Sequence, residues 1–90
     1  PDWAHSVWHL FVIRTSYRDK LKSEFDKVGI GSLIHYPIPP HMQKAYKDLQ
    51  FKPESFPLAR QLANEIISLP IGPHLNDQSV MKIINVIKNA

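Results

Sequence analysis

Apolar positions in the first third of the chain follow two different periods. From Val7 to Arg14 apolar side chains occupy both alternating sets, which is typical of a strand covered on both faces. From Tyr17 to Val28 they recur every three or four residues, which predicts an amphipathic helix. Thr15 or Ser16 can cap the start of this helix, and Gly29 supplies the left-handed residue that commonly ends one. The pattern therefore predicts a strand followed by a helix.

The middle of the chain changes character at Pro37. Alternating apolar and polar positions from Ile30 to Tyr36 predict a second strand, and Pro37 stops it. Five of the eight prolines lie between Pro37 and Pro57, which excludes long regular structure there, although Met42 to Leu49 can form one or two helical turns. The aromatic residues interleaved with these prolines argue against a solvated linker. We expect an ordered loop.

The last third of the chain returns to regular periods. A helix is predicted from Pro57 to about Ile66, and a short strand from Ile67 to Ile71. Asn76 or Asp77 can then cap a helix with a one-sided apolar stripe from Val80 to Ile87. The complete order is strand, helix, strand, loop, helix, strand, helix. It predicts an α+β fold with about three helices packed on a small three-stranded sheet.

Length and composition narrow the classes of protein to which the chain can belong. Ninety residues with 43% hydrophobic and 21% charged residues predict one globular domain over residues 1–90. With no cysteine, disulfides and cysteine-based metal sites are excluded. The net charge of +3 is spread along the chain, and apolar runs are far shorter than a membrane span needs. We therefore expect a soluble protein with neither a nucleic-acid nor a membrane partner.

The densest polar cluster lies where the second predicted strand ends. His35, Tyr36 and His41 place two imidazoles and a phenol on a backbone stiffened by proline, which suits hydroxyl or phosphate groups of a ligand. The alternative is that His35 bonds a neighbouring backbone group and Tyr36 covers the core. A metal site lacks a recognisable third ligand, and no nucleophile motif of the GxSxG type occurs. Ser68 is interpreted as a buried strand residue.

Four segments of the chain occur in a distinctive order and spacing. They are VWHLFVIR at 7–14, RDKL at 18–21, VGIGSLIHYPIPPHMQKAY at 28–46 and FPLARQLANEIISLPIGPHL at 56–75. The most specific pieces are His35-Tyr36-Pro37, Gln43 with Ala45-Tyr46, and Ser68 to Ile71. From about Trp3 to Lys88, the chain resembles the C-terminal domain of the DegT/DnrJ/EryC1/StrS aminotransferases.

This resemblance implies the small C-terminal domain of the aspartate-aminotransferase (type I) fold. Such enzymes use pyridoxal phosphate and move an amino group, usually from glutamate, onto a nucleotide-linked keto sugar. Their Schiff-base lysine and most cofactor ligands lie in a large N-terminal domain that these residues lack. We therefore expect no catalytic or cofactor-binding residue here, an inactive isolated fragment, and a cytoplasmic parent enzyme that forms a homodimer.

The resemblance also implies a role for the polar cluster. His35 and Tyr36, with His41 in the loop, are expected to edge the sugar-nucleotide side of the cleft between the two domains. The alternative hypothesis for the whole chain is a free-standing module that binds a protein or ligand without catalysis. It would use the exposed sheet face and the proline-rich loop as its binding surface.

Overall fold

The sheet has two strands. The computed structural model describes residues 1–90, and in it β1 (Phe11–Arg14) pairs antiparallel with β2 (Ile66–Leu69). The register places Val12 opposite Ser68 and Ile13 opposite Ile67. Both strands are therefore shorter than the alternating patterns predicted.

The prediction of a three-stranded sheet is wrong, because the segment from residue 30 to 36 contributes one isolated antiparallel bridge, between Leu33 and Ser68. Since Leu33 lies opposite Ser68, the same register would place Gly31 opposite Pro70. Proline has no N–H to donate, so the ladder cannot continue in that direction. In the other direction Pro37 ends the extended segment.

The three predicted helices are confirmed. Asn76 caps the third by accepting a hydrogen bond from the backbone N–H of Ser79 at 2.8 Å. The first helix has no side-chain cap, contrary to the expectation for Thr15 or Ser16, and Gly29 follows its end with a φ of +72°. The helices are α1 (Arg18–Lys27), α2 (Pro57–Glu65) and α3 (Asp77–Asn89).

The hydrophobic core lies between one face of the sheet and the helices α1 and α3. Its buried members come from α1, the turn after it, β2 and α3, and they are Leu21, Phe25, Ile30, Ile67 and Ile83. The guanidinium of Arg18 is also buried, and its Nη1 donates to the backbone carbonyls of Ala63 and Ile66 at 3.1 Å each. A buried charge with such partners is tolerated, and it ties α1 to the junction of α2 and β2.

The proline-rich loop forms short 3₁₀ turns, as its composition predicts. They span Pro40–Met42, Lys44–Leu49 and Pro53–Ser55. Within this loop the ring of Phe56 stands edge-on to the rings of His41 and Phe51, with centroids 5.1 Å apart in both pairs. The loop thus has a small aromatic cluster of its own.

Much of the apolar surface of the chain is exposed. Only 11 of the 90 residues are buried, and the radius of gyration is 15.8 Å, against about 12 Å expected for a compact domain of this length. The exposed fraction is 85% for Trp3 and 97% for Val7. No helix combines the length and the hydropathy that a membrane span requires.

Candidate functional site

The two faces of β2 have different environments. Ile67 is fully buried in the core beneath the helices, and the alternation of a strand places Ser68 on the opposite face. The backbone N–H and C=O of Ser68 both bond Leu33, at 2.7 and 3.3 Å. Ser68 is nevertheless buried, because the segment that carries Leu33 lies beside it. Ser68 is therefore a buried residue, held by backbone hydrogen bonds, on the side of the sheet away from the core.

His35 is tied to this serine. Its Nδ1 lies 2.8 Å from Oγ of Ser68, and its ring stands edge-on to that of Tyr36 at a centroid distance of 5.3 Å. The ring is half-buried, and its Nε2 makes no hydrogen bond within the chain. His35 therefore bonds a side chain on a different segment, and not the neighbouring backbone group of the alternative interpretation. One imidazole nitrogen is held and the other is left free for a ligand.

An open cleft of about 470 Å³ borders this pair of residues. Its polar side chains belong to His9, Ser32, His35 and Ser68, and the rest of the lining is apolar or backbone. No aspartate, glutamate, lysine or arginine lines the cleft. Such a surface suits uncharged oxygens, such as hydroxyl or carbonyl groups, better than it suits a phosphate.

One of these hydroxyls lacks a partner. Oγ of Ser32 is buried and makes no hydrogen bond in the chain. Buried polar atoms are almost always paired, so an exception is a candidate for a contact with a ligand or a water molecule. Together with Ser68 it gives the cleft two hydroxyls that the sequence interpretation did not assign to a site. The only sequence signal for Ser68 is that it begins the piece from Ser68 to Ile71, one of the most specific parts of the family resemblance.

Tyr36 and His41 lie apart from the cleft. The side chain of Tyr36 is 68% exposed, so it does not cover the core, and it borders a small pocket with Gln43 and residues of α2. His41 is buried; its Nε2 lies 3.0 Å from the carbonyl oxygen of Pro53, which can only accept, so Nε2 carries the proton. The structure thus brings His35 and Tyr36 together and places His41 in the aromatic cluster of the loop.

Two carboxylates have perturbed acidity, and both lie outside the cleft. A hydrogen bond from the guanidinium of Arg14, and a second from the amide of Gln61, hold the pKa of Glu65 below its ordinary value of 4.5. A hydrogen bond from Lys27 lowers the pKa of Glu24 in the same way. These groups support helix ends and the sheet edge, and they offer the cleft no general acid or base.

Comparison with known proteins identifies the relationship of the chain. The family model for the DegT/DnrJ/EryC1/StrS aminotransferase family matches residues 1–88. The chain belongs to this family. It is 49% identical over 86 residues to the erythromycin biosynthesis sensory transduction protein EryC1 of Saccharopolyspora erythraea, covering 96% of this chain and 24% of that protein.

A second sequence relative and a solved structure that resembles the chain both come from Streptomyces venezuelae. The dTDP-3-amino-3,4,6-trideoxy-alpha-D-glucose transaminase of that organism is 43% identical over 88 residues, covering 98% of this chain and 23% of that protein. The crystal structure of S. venezuelae DesV in complex with a ketimine intermediate superposes with a TM-score of 0.89 at 41% identity, covering 94% of this chain and 23% of that one. The chain thus spans about a quarter of the length of its relatives.

The residues present do not fit a pyridoxal phosphate site by themselves. A Schiff-base lysine needs a sheltered amine, and an acidic partner is needed for the ring nitrogen of the cofactor. None of the eight lysines is buried, Lys22 and Lys27 are occupied by bonds to carboxylates of α1, and Lys82 donates to the carbonyl of Val28 directly after that helix. No group of three or more side chains that could hold a metal ion lies together either. No step of a cofactor reaction can be assigned to these residues.

Proposed function

We propose that the complete protein is a pyridoxal-phosphate-dependent aminotransferase that moves an amino group, from glutamate or a similar donor, onto a nucleotide-linked keto sugar. Residues 1–90 form its C-terminal small domain in this proposal. The observation that carries it is the 43% identity, over 98% of the chain, to a transaminase of a dTDP-linked amino sugar. The large domain with the cofactor site, a dimeric assembly and a cytoplasmic location belong to the same proposal.

The exposed apolar surface supports the idea that a further domain packs on this one. A monomeric protein rarely leaves a large apolar patch in water. Here Trp3, Val7 and Trp8, which precede β1 in the sequence, are exposed, and the chain is expanded relative to a compact domain of its length. A large domain packed against these residues would bury them.

Within this function we propose that His35 and Tyr36 contact the nucleotide-linked sugar. Nε2 of His35 is free, and the cleft that it borders offers polar atoms without charge. Tyr36 presents an exposed phenol next to His35. That His41 reaches the substrate stays a prediction, and its bond to Pro53 and its contact with Phe56 favour a packing role.

The first experiment is the intact mass of the native gene product, taken from an extract of its own cells. The proposal predicts a mass several times the 10.4 kDa of these residues. A native mass near 10.4 kDa would overturn it and leave a free-standing binding module as the function. The complete protein should then be reduced with borohydride, which traps a bound cofactor on its lysine, and assayed for amino transfer to dTDP- and UDP-linked keto sugars.

A further inference from the structure

The bond between His35 and Ser68 joins two segments that lie 33 positions apart in the sequence. Ser68 is the fixed partner of the two. It is 5% exposed, it pairs with Val12 through the β1–β2 ladder, and both of its backbone groups bond Leu33 on the other side. A side chain with one short χ1 torsion on such a backbone has little freedom, so its Oγ is a fixed reference point for the imidazole.

Hydrogen-bond satisfaction decides which way the proton of this bond points. Oγ of Ser68 has no partner other than Nδ1 of His35. A buried hydroxyl proton without an acceptor is costly, whereas an unused lone pair costs less. The serine therefore donates to Nδ1. In the neutral ring Nδ1 is then the acceptor, and the proton of the imidazole is on Nε2.

We propose that Ser68 is a positioning residue that holds His35 as the Nε2–H tautomer, with this N–H free to donate to an oxygen of the sugar. The two ring nitrogens point in different directions, so anchoring Nδ1 on Ser68 directs Nε2 away from the strand. No charged side chain lines the cleft, which favours a hydroxyl or keto oxygen over a phosphate as the acceptor. This inference rests on the proposed function and adds a residue to its site.

The test uses the complete protein loaded with cofactor, with its two half-reactions measured separately from the absorbance of the cofactor. Ser68→Ala should lower kcat/KM for the keto sugar about five- to tenfold and leave the half-reaction with the amino donor alone unchanged. Ser68→Thr keeps the hydroxyl and should stay within about twofold of the wild type. Ser23→Ala removes a serine hydroxyl at an exposed position of α1 and is the matched control.

A double-mutant cycle separates positioning from general support of the fold. In a His35→Ala background Ser68→Ala should cause no further loss, because the serine acts only through the imidazole. His35→Gln can donate from about the place of Nε2 and should retain more activity than His35→Asn, whose amide lies near the place of Nδ1. The opposite order would overturn the assigned tautomer.

The remaining outcomes distinguish this inference from the function on which it rests. If His35→Ala is impaired but Ser68→Ala is harmless, or its loss adds to that of His35→Ala, Ser68 does not position the ring and the inference fails alone. An equal loss in both half-reactions points to a structural role and also overturns it. If His35→Ala has full activity, the contact of His35 with the sugar fails too. If the wild-type protein transfers no amino group to any keto sugar, the proposed function itself is wrong.

Discussion

The adjacent residues Ile67 and Ser68 of β2 lie on opposite sides of one sheet and make different kinds of contact. Ile67 is fully buried against α1 and α3 and makes no specific contact beyond packing. Ser68 is almost as buried, yet its side chain makes one directed bond, to a histidine that borders an open cleft. We call the first side the core face and the second, with the segment from residue 31 to 56, the loop face.

Burial alone therefore does not show whether a residue stabilises the fold or contributes to ligand binding. On the core face burial comes with apolar neighbours, so substitutions there should change the free energy of unfolding. On the loop face the buried side chains carry hydroxyl and imidazole groups, and the hydroxyl of Ser32 has no hydrogen-bond partner. Substitutions there should therefore change ligand binding more than the free energy of unfolding.

The core face should show the largest loss of stability. Ile67→Ala removes a fully buried side chain and leaves a cavity, so we expect the free energy of unfolding to fall by about 2–5 kcal/mol. Urea denaturation followed by circular dichroism measures this. Val12→Ala, on the opposite face and 44% exposed, is the matched control and should cost about 1 kcal/mol or less. Equal costs at the two positions would contradict the division.

His41 should behave as a stability residue although it lies on the loop face. His41→Ala leaves the carbonyl of Pro53 without its donor and removes the ring beside Phe56, so the expected cost is about 1–3 kcal/mol. The same denaturation experiment applies. His5→Ala, at an exposed position near the start of the chain, should stay within about 0.5 kcal/mol of the wild type. A negligible cost for His41→Ala would leave the residue open to a substrate role.

Gly29 and Gly31 flank Ile30 and should differ for a backbone reason. A Cβ at either position would meet no atom within 4 Å, but only Gly29 has a positive φ, of +72°. Gly29→Ala should therefore cost about 1 kcal/mol, because an L side chain disfavours this conformation. Gly31→Ala should be neutral or slightly stabilising. Similar midpoints for both variants would show that the turn after α1 adapts without cost.

The smallest expected effect is the contribution of Glu65 to pH dependence. Its pKa is lowered in the folded chain, so its stabilisation is present above the ordinary value of 4.5 and is lost as the pH falls through the folded pKa. Glu65→Gln and Arg14→Gln should each flatten the loss of stability below pH 4.5. Thermal unfolding midpoints between neutral and acid pH measure it. An unchanged slope in both variants would mean that the pair does not contribute.

The sequence predicts the parts of the fold that local chemistry decides. The apolar stripes set the three helices, Asn76 caps α3, and Gly29 ends the turn after α1 as its lack of a side chain allows. Alternation predicts a strand at residues 30–36, but it cannot show that the register of this strand would meet Pro70 across the sheet. The length of this strand is thus limited by a residue that lies far away in the sequence.

The arrangement of the candidate site can be predicted only in part, for the same reason. His35 and Tyr36 could be selected as neighbours of polar character at a strand end, and they do lie ring to ring. The partner of His35 could not be predicted, because the sequence around Ser68 indicates only an ordinary strand residue. The bridge between Leu33 and Ser68 is what brings His35 next to Ser68. The sequence around His41 likewise gives no reason to assign it a different role from His35. The difference appears only in the structure, where His41 contacts the carbonyl of Pro53 and the ring of Phe56.

We propose that the loop face binds the sugar through His35 and that His41 only stabilises the loop, and one measurement tests this proposal most directly. It is kcat/KM for a nucleotide-linked keto sugar in the complete protein, determined for His35→Ala and His41→Ala at a temperature where both are folded. We expect a loss of about tenfold or more for His35→Ala and less than about threefold for His41→Ala. Equal losses, or the larger loss in His41→Ala, would contradict it.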